Sequence, residues 1–288
     1  MLTSLRHYSF LLLLCISFGA YGQAHPPKEP FLKDEWTKDY EPFRIAGNLY
    51  YVGSYDLGCY LITTPQGHIL INTGVASMGP MLVRHIETLG FKVSDIKVIL
   101  ISQVHYDHVG TMAEMKKLTG ARVMVDEKDA KVLADGGASD YLYSGLAPLF
   151  EPVTPDKLLR DKDTVKVGNM VVTLLHHPGH TKGSCSFSFT VRDEQNAYKV
   201  LIANMPSVIV EKKLKDVHTY PTITADYKRT FASLRSQHFD LWLAAHASQF
   251  GLQAKRKPGD AYNPELFRDS KGFLDALAEL EKGFKSKQ

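Results

Sequence analysis

Over residues 43–72 the apolar positions come in short runs broken by turn residues. Phe43-Arg-Ile-Ala-Gly-Asn-Leu-Tyr-Tyr-Val-Gly-Ser reads as a hairpin turning at Gly47-Asn48, and 59–63 and 68–72 read as two more strands joined by Pro65-Gln-Gly67. From Met78 the period lengthens. Met81, His85, Ile86 and Leu89 recur at helical spacing, and Gly90 falls where a left-handed cap closes a helix. A strand over 97–101, a helix over 109–118 and a strand over 122–125 then alternate, with a further helix expected over 126–133. The second half repeats the plan with strands over 164–167, 171–175, 185–191 and 198–202, a helix over 227–235 and a strand over 241–245. A last helix carries Phe273, Leu277, Leu280 and Phe284 on one face. Two β-rich halves, each followed by helices, predict a single α/β domain built as a four-layer α-β-β-α sandwich.

The stretch Gly136-Gly-Ala-Ser-Asp-Tyr-Leu-Tyr-Ser-Gly145 breaks both periods, and long loops in compact domains tend to carry function. Tyr141 and Tyr143 either line a substrate cleft or anchor this loop.

At 288 residues, 44% hydrophobic and 23% charged, the chain can bury a full core and is not disordered. The net charge of +3 has no basic stripe behind it. Glu211-Lys-Lys-Leu-Lys and Ala254-Lys-Arg-Lys read as solvated loops, which argues against nucleic acid as a partner. Residues 1–22 read as a cleaved secretory signal, with Arg6 and His7 before an apolar run and Ala20-Tyr21-Gly22 as the cleavage site; 23–288 is then the mature domain. Such a chain is expected to be secreted across the inner membrane to the periplasm, with no stable membrane insertion and no protein partner indicated. Cys59 and Cys185 sit in separate strand-like runs and are expected to be buried, unpaired thiols.

Chemistry concentrates in Gln103-Val-His105-Tyr-Asp107-His108-Val-Gly110, just after the strand over 97–101. His105, Asp107 and His108 cannot share one face of a strand or helix, so a loop position is expected, aiming neighbouring side chains at two points, as two adjacent metals require. Two more apolar runs end in a histidine: Val171-Val-Thr-Leu-Leu-His-His-Pro-Gly-His180 and Asp240-Leu-Trp-Leu-Ala-Ala-His246. A ligand at the carboxyl end of each of three strands is where open α/β sheets place their sites. His176 and His177 fit structural roles at a strand end, and His25, His68, His85, His218 and His238 have no partner pattern.

These residues resemble the metallo-β-lactamase superfamily, whose signature is His-x-His-x-Asp-His plus two later histidines, and most of all class B enzymes of subclass three, GOB-type. Tyr40-Glu-Pro-Phe-Arg-Ile-Ala-Gly-Asn-Leu-Tyr-Tyr-Val-Gly, His176-His-Pro-Gly-His-Thr-Lys-Gly-Ser-Cys and Ile202-Ala-Asn-Met-Pro-Ser-Val carry the GOB-like resemblance. It implies a first zinc site of Gln103, His105 and His180 and a second of Asp107, His108 and His246. It also implies an attack by zinc-bound hydroxide on the β-lactam carbonyl of penicillins, cephalosporins and carbapenems, with Asp107 orienting the nucleophile. Gln103 stands where most members have histidine. A neutral amide oxygen is the weaker zinc ligand, so one or two Zn2+ per chain are expected, with the Asp107 site the tighter.

At Ile202-Ala-Asn204-Met205 many relatives place an aspartate that bridges two metals, and its lack here favours a β-lactamase over an ester, thioester or lactone hydrolase. The resemblance puts Ser207 near the substrate carboxylate, Asn204 as a weaker candidate, and Met205 as an apolar wall where other subclass members have serine. Asn72 either holds a ligand histidine from behind or forms a turn. A zinc-binding protein that lost catalysis through Gln103 is the remaining reading.

Overall fold

The computed structural model describes residues 29–288, so the expected leader over 1–22 lies outside the described residues. Among the described residues, twelve strands form two sheets. The first takes β1 (Phe43–Ala46), β2 (Leu49–Tyr51), β3 (Tyr60–Ile62), β4 (His68–Ile71), β5 (Ile96–Leu100), β6 (Arg122–Asp126) and β7 (Lys157–Leu159) in sequence order. Its pairs are antiparallel up to β3–β4 and parallel from β4–β5 onward. The second sheet holds β8 (Thr164–Val167), β9 (Met170–His176), β10 (Cys185–Arg192), β11 (Ala197–Ala203) and β12 (Leu241–Ala244), in the order β12-β11-β10-β9-β8, with β11 and β12 parallel. The short strand β7 is an addition to the sequence reading.

Among the described residues, eight α-helices accompany the sheets: α1 (Asp34–Thr37), α2 (Gly79–Thr88), α3 (Tyr106–Val109), α4 (Met112–Thr119), α5 (Ala130–Ala134), α6 (Ile223–Arg235), α7 (Leu252–Lys255) and α8 (Ser270–Ser286). Period-2 alternation divides the first sheet's side chains between two cores. Ile69, Ile71, Val98 and Leu100 face the second sheet, while Leu70, Ile99 and Ile101 face Leu82 and Ile86 of α2 and Met112 and Met115 of α4. On the far side, Tyr227 and Phe231 of α6 and Phe273, Leu277 and Phe284 of α8 join the inter-sheet core. The order of layers is helix, sheet, sheet, helix, as the pattern predicted. Cys59 and Cys185 are buried free thiols, and among the described residues no helix is long and apolar enough to cross a membrane.

The expected helix over 109–118 is broken in two. Gly110 approaches Ala76 so closely that a Cβ would run into the Ala76 backbone nitrogen, and the chain restarts as α4 at Met112. The expected helix over 126–133 also begins later, because Asp126 completes β6.

Candidate metal centre

Strand β5 ends at Leu100, and the next residues are pinned from the neighbouring strand end. Asn72 adopts φ 62°, its Oδ1 accepts from Ser102 N at 2.9 Å and Ser102 Oγ at 3.1 Å, and its Nδ2 donates to Gly58 O at 3.3 Å. It is therefore a turn residue that fixes the backbone entering the ligand run, and its hydrogen bonds go to no ligand histidine. His105 caps α3, and Asp107 and His108 lie within that short helix, a difference from the loop expected from sequence. The turn is held from outside: the His108 carbonyl accepts from Thr73 N at 2.9 Å and Thr73 Oγ1 at 3.2 Å.

Asp107, His108 and His246 converge, with one ligand atom from each inside a 4.8 Å circle. Asp107 Oδ2 lies 3.3 Å from His108 Nε2 and 3.4 Å from His246 Nε2. The other pair meets beside it, His105 Nδ1 lying 3.2 Å from His180 Nε2. Ligands bound at 2.0–2.1 Å to a tetrahedral zinc are about 3.3 Å apart, so all three separations have the length of a zinc tetrahedron's edge. His108 gives the independent test. It is 1% exposed, and neither ring nitrogen has a hydrogen-bond partner among the described residues. A buried imidazole without partners is costly, and a metal on Nε2 removes that cost for one nitrogen. The donor set fits zinc.

Two carboxylates that the sequence reading missed orient the rings. Asp56 Oδ2 sits 3.1 Å from His246 Nδ1 while its Oδ1 accepts from Ser248 N at 2.9 Å, which leaves His246 Nε2 facing Asp107. Asp140 accepts from Leu142 N and Tyr143 N, both at 2.7 Å, and its Oδ2 lies 3.4 Å from His105 Nε2. His180 is oriented by a carbonyl instead, Nδ1 donating to Ser207 O at 2.9 Å. The turn that presents His180 passes through Gly179 at φ 132°, where a Cβ would press on the Tyr227 ring.

Electrostatics separates these histidines. Burial pulls His180 down to about 3, aided by the neighbouring His105, so it is neutral with Nε2 free to bind. Burial would lower His246 too, but hydrogen bonds and charge from Asp107 and Asp56 raise it to about 9. Burial opposes ionisation of Asp107, yet the His108 and His246 interactions hold its carboxyl well below the ordinary range.

The ligand atoms open on a cleft of about 290 Å3, whose walls include Trp36, Tyr143, Ser207 and Ile209. Tyr143 packs edge-on against His105 at 5.2 Å between centroids. Tyr141 is an anchor, its hydroxyl donating to His180 O at 3.0 Å. Gln103 is 2% exposed and its Oε1 accepts from His105 N at 2.8 Å, so its amide oxygen is turned to its own loop. Asn204 and Met205, 3% and 2% exposed, lie buried outside the cleft wall.

Among the discounted histidines, His177 is bracketed by Ser186 Oγ at 2.7 Å and Ser233 Oγ at 2.9 Å, and His176 Nδ1 lies 2.7 Å from Asp126 Oδ2. Ser94-Asp-Ile-Lys97 has the Ser-x-x-Lys spacing of serine β-lactamases, but it sits at the amino end of β5, remote from the ligand run, with Lys97 Nζ donating to Ser94 O at 2.9 Å.

A family profile described as the metallo-beta-lactamase superfamily matches residues 59–198. The chain is similar to the crystal structure of the metallo-beta-lactamase GOB-18 from Elizabethkingia meningoseptica, with 54% identity over 92% of this chain and 98% of that one and a TM-score of 0.90. It is similar as well to the class B3 di-zinc metallo-beta-lactamase LRA-12 from an Alaskan soil metagenome, with 53% identity, 90% and 99% coverage and a TM-score of 0.89. A hydroxyacylglutathione hydrolase from Bradyrhizobium sp. is 29% identical over 130 residues, 45% of this chain and 42% of that protein, so the likeness spans less than half of the curated relative.

Proposed function

The chain belongs to the class B3 metallo-β-lactamases, and from that membership we propose that it is an exported zinc hydrolase that opens the β-lactam ring of penicillins, cephalosporins and carbapenems, conferring antibiotic resistance. The observation that carries this reading is the pair of adjacent ligand clusters, with edges of 3.2–3.4 Å, opening on one cleft near the lower size limit of small-molecule sites, about 300 Å3.

His105 and His180, joined by Gln103 once its amide oxygen leaves the His105 N–H, would hold one zinc; Asp107, His108 and His246 would hold the other. Zinc bound there supplies a Lewis acid for the lactam carbonyl and lowers the pKa of a water to about 7. The chain's own residues do the rest. Asp107, ionised and at the junction of the clusters, would orient the nucleophile by accepting a hydrogen bond from it at a carboxylate oxygen. His180 keeps its proton on Nδ1, against the Ser207 carbonyl, so that Nε2 stays available. Tyr143 and Trp36 wall the cleft against bulk water, and Ser207 is the hydroxyl proposed to meet the substrate carboxylate, with Asn204 and Met205 shaping the backbone behind it. Because the Gln103 oxygen must leave the His105 N–H to become a ligand, the Asp107 site fills first.

A thioester or ester hydrolase is the second reading, prompted by the hydroxyacylglutathione hydrolase likeness. The neutral Asn204 and Met205, where a bridging carboxylate would stand, count against it. The test is imipenem and cephalosporin hydrolysis by the purified mature chain in a zinc titration with a chelator control, beside a thioester screen. Hydrolysis lost with chelator and restored by zinc supports the β-lactamase. A folded, zinc-loaded chain that opens no lactam overturns it. Export over the 1–22 leader is checked by amino-terminal sequencing of periplasmic protein, with Gln23 expected first.

A further inference from the structure

The cleft that holds the ligand clusters is also lined by Lys33, an exposed residue and the one Lys or Arg side chain on its wall. Lys33 Nζ lies 5.3 Å above the centroid of the Trp36 ring, a cation–π contact that limits the wandering of a long side chain. Trp36 is itself 5% exposed and packed 6.1 Å from both the His246 and Tyr106 rings. The ammonium is thus held beside the wall that carries the second ligand cluster. Among the described residues it has no carboxylate partner, and residues 1–28 contain no Asp or Glu to supply one. The cleft's own carboxylates are already engaged, Asp56 by His246 and Ser248, Asp107 by His108 and His246.

We infer that Lys33 is a specificity-determining residue that binds the carboxylate on the ring fused to the lactam. The inference rests on the β-lactamase reading and extends it to a segment the ligand motif does not reach. Penicillins, cephalosporins and carbapenems all carry that carboxylate, and Lys33 is the one Lys or Arg side chain on the cleft wall that can pair with it. The hydroxyl available for it, Ser207 Oγ, is neutral and lies 3.2 Å from His180 Nδ1. Met205, buried and apolar, offers nothing. An ammonium seated over an aromatic platform is a point charge without the fixed fork of a guanidinium, which suits carboxylates placed at slightly different angles in the three ring systems.

The test compares a cephalosporin with the methyl ester of its ring carboxylate, using the zinc-loaded wild type and Lys33→Met, Lys33→Gln and Lys33→Arg. Loss of a partly exposed charge contact is expected to raise the KM of the acid about fivefold in Lys33→Met and Lys33→Gln, with kcat within about twofold, and Lys33→Arg to restore it. The KM of the ester stays at its wild-type value in all three. Raising the salt from about 0.05 to about 0.5 M raises the acid's KM in the wild type and not in Lys33→Met. An unchanged acid KM in both neutral variants overturns the inference, and so does an equal rise for acid and ester, which marks a packing role on Trp36. A wild type that opens neither compound overturns the β-lactamase reading and this inference with it. A wild type that opens both, with variants that do not distinguish them, overturns the role of Lys33 alone.

Discussion

The two ligand clusters lie side by side yet are built by different means. In one, a carboxylate is itself a donor: Asp107 Oδ2 stands 3.3 and 3.4 Å from the two imidazoles, and a second carboxylate, Asp56, fixes His246 from behind. In the other, both facing donors are imidazoles, His180 is backed by a carbonyl, and the third candidate is a neutral amide whose oxygen is bonded to its own loop. A dication is stabilised by an ionised donor far more than by an amide dipole, and an oriented histidine is the more basic ligand. Proximity to the same cleft does not make two sites equal: with its ionised donor and pre-oriented histidine, the Asp107 cluster is expected to take zinc first.

The largest effect is expected where the charge is removed. Asp107→Asn keeps the shape and loses the ionised donor, and hydrolysis should fall on the order of 10³-fold, beyond the 10- to 100-fold typical of an outer partner. The check is kcat/KM with zinc content measured on the same sample. A fall below tenfold would mean that the ionised donor does not set the strength of this cluster. Asp56→Asn removes the charge behind His246 and should cost about 10- to 100-fold in zinc affinity at the second site, read by competition with a chromophoric chelator.

A pH signature goes with Asp56. In the metal-free protein His246 is raised from 6.5 to about 9 by Asp107 and Asp56 against the pull of burial. A group so raised contributes stability that is whole below pH 6.5 and is lost as pH climbs through about 9. Denaturant unfolding of chelated protein should therefore weaken by roughly 3 kcal/mol over that window, and Asp56→Asn should flatten the slope.

Much of this organisation is legible in the chain. After the exposed Lys97, strand β5 is buried from Val98 to Leu100 and its apolar run Val-Ile-Leu-Ile is visible in the chain, and the histidines that end two other runs mark strand ends even before their partners are known. Other parts are not local. Residues 105–109 are too short to show helical periodicity, and α3 exists because Thr73, from a different strand end, holds the His108 carbonyl. Strand β7 is Lys-Leu-Leu with two exposed positions and no alternation to detect. Asp56 sits in a polar turn and meets His246 only after 190 residues of chain have closed on themselves. Asp140 is equally hidden, in a stretch that reads only as a loop.

Gln103→His tests the neutral donor of the first cluster directly. An imidazole in place of the amide should raise zinc affinity of the first cluster by about tenfold or more, moving the titration end point from about one to about two zinc ions per chain. Hydrolysis that begins only in this variant would show the natural chain to be a zinc-binding protein without the activity, and metal content that does not change would mean that Gln103 is not the limiting ligand.

The smallest effect is expected at Asp140. Its carboxylate, 4% exposed, does two jobs: it accepts from the Leu142 and Tyr143 amides, which shapes the loop carrying the cleft wall, and it faces His105 Nε2 at 3.4 Å, which leaves Nδ1 directed at His180. Asp140→Asn can keep the loop hydrogen bonds through Oδ1 while losing the charge that favours a proton on His105 Nε2. The first cluster should then bind zinc about threefold to tenfold more weakly, at the low end for an outer partner, while the Asp107 cluster is untouched. Zinc titration monitored at two equivalents reads this as a shift of the second step alone. A shift of the first step would mean that the two clusters share their orienting groups, and the division between them would have to be redrawn around Asp140.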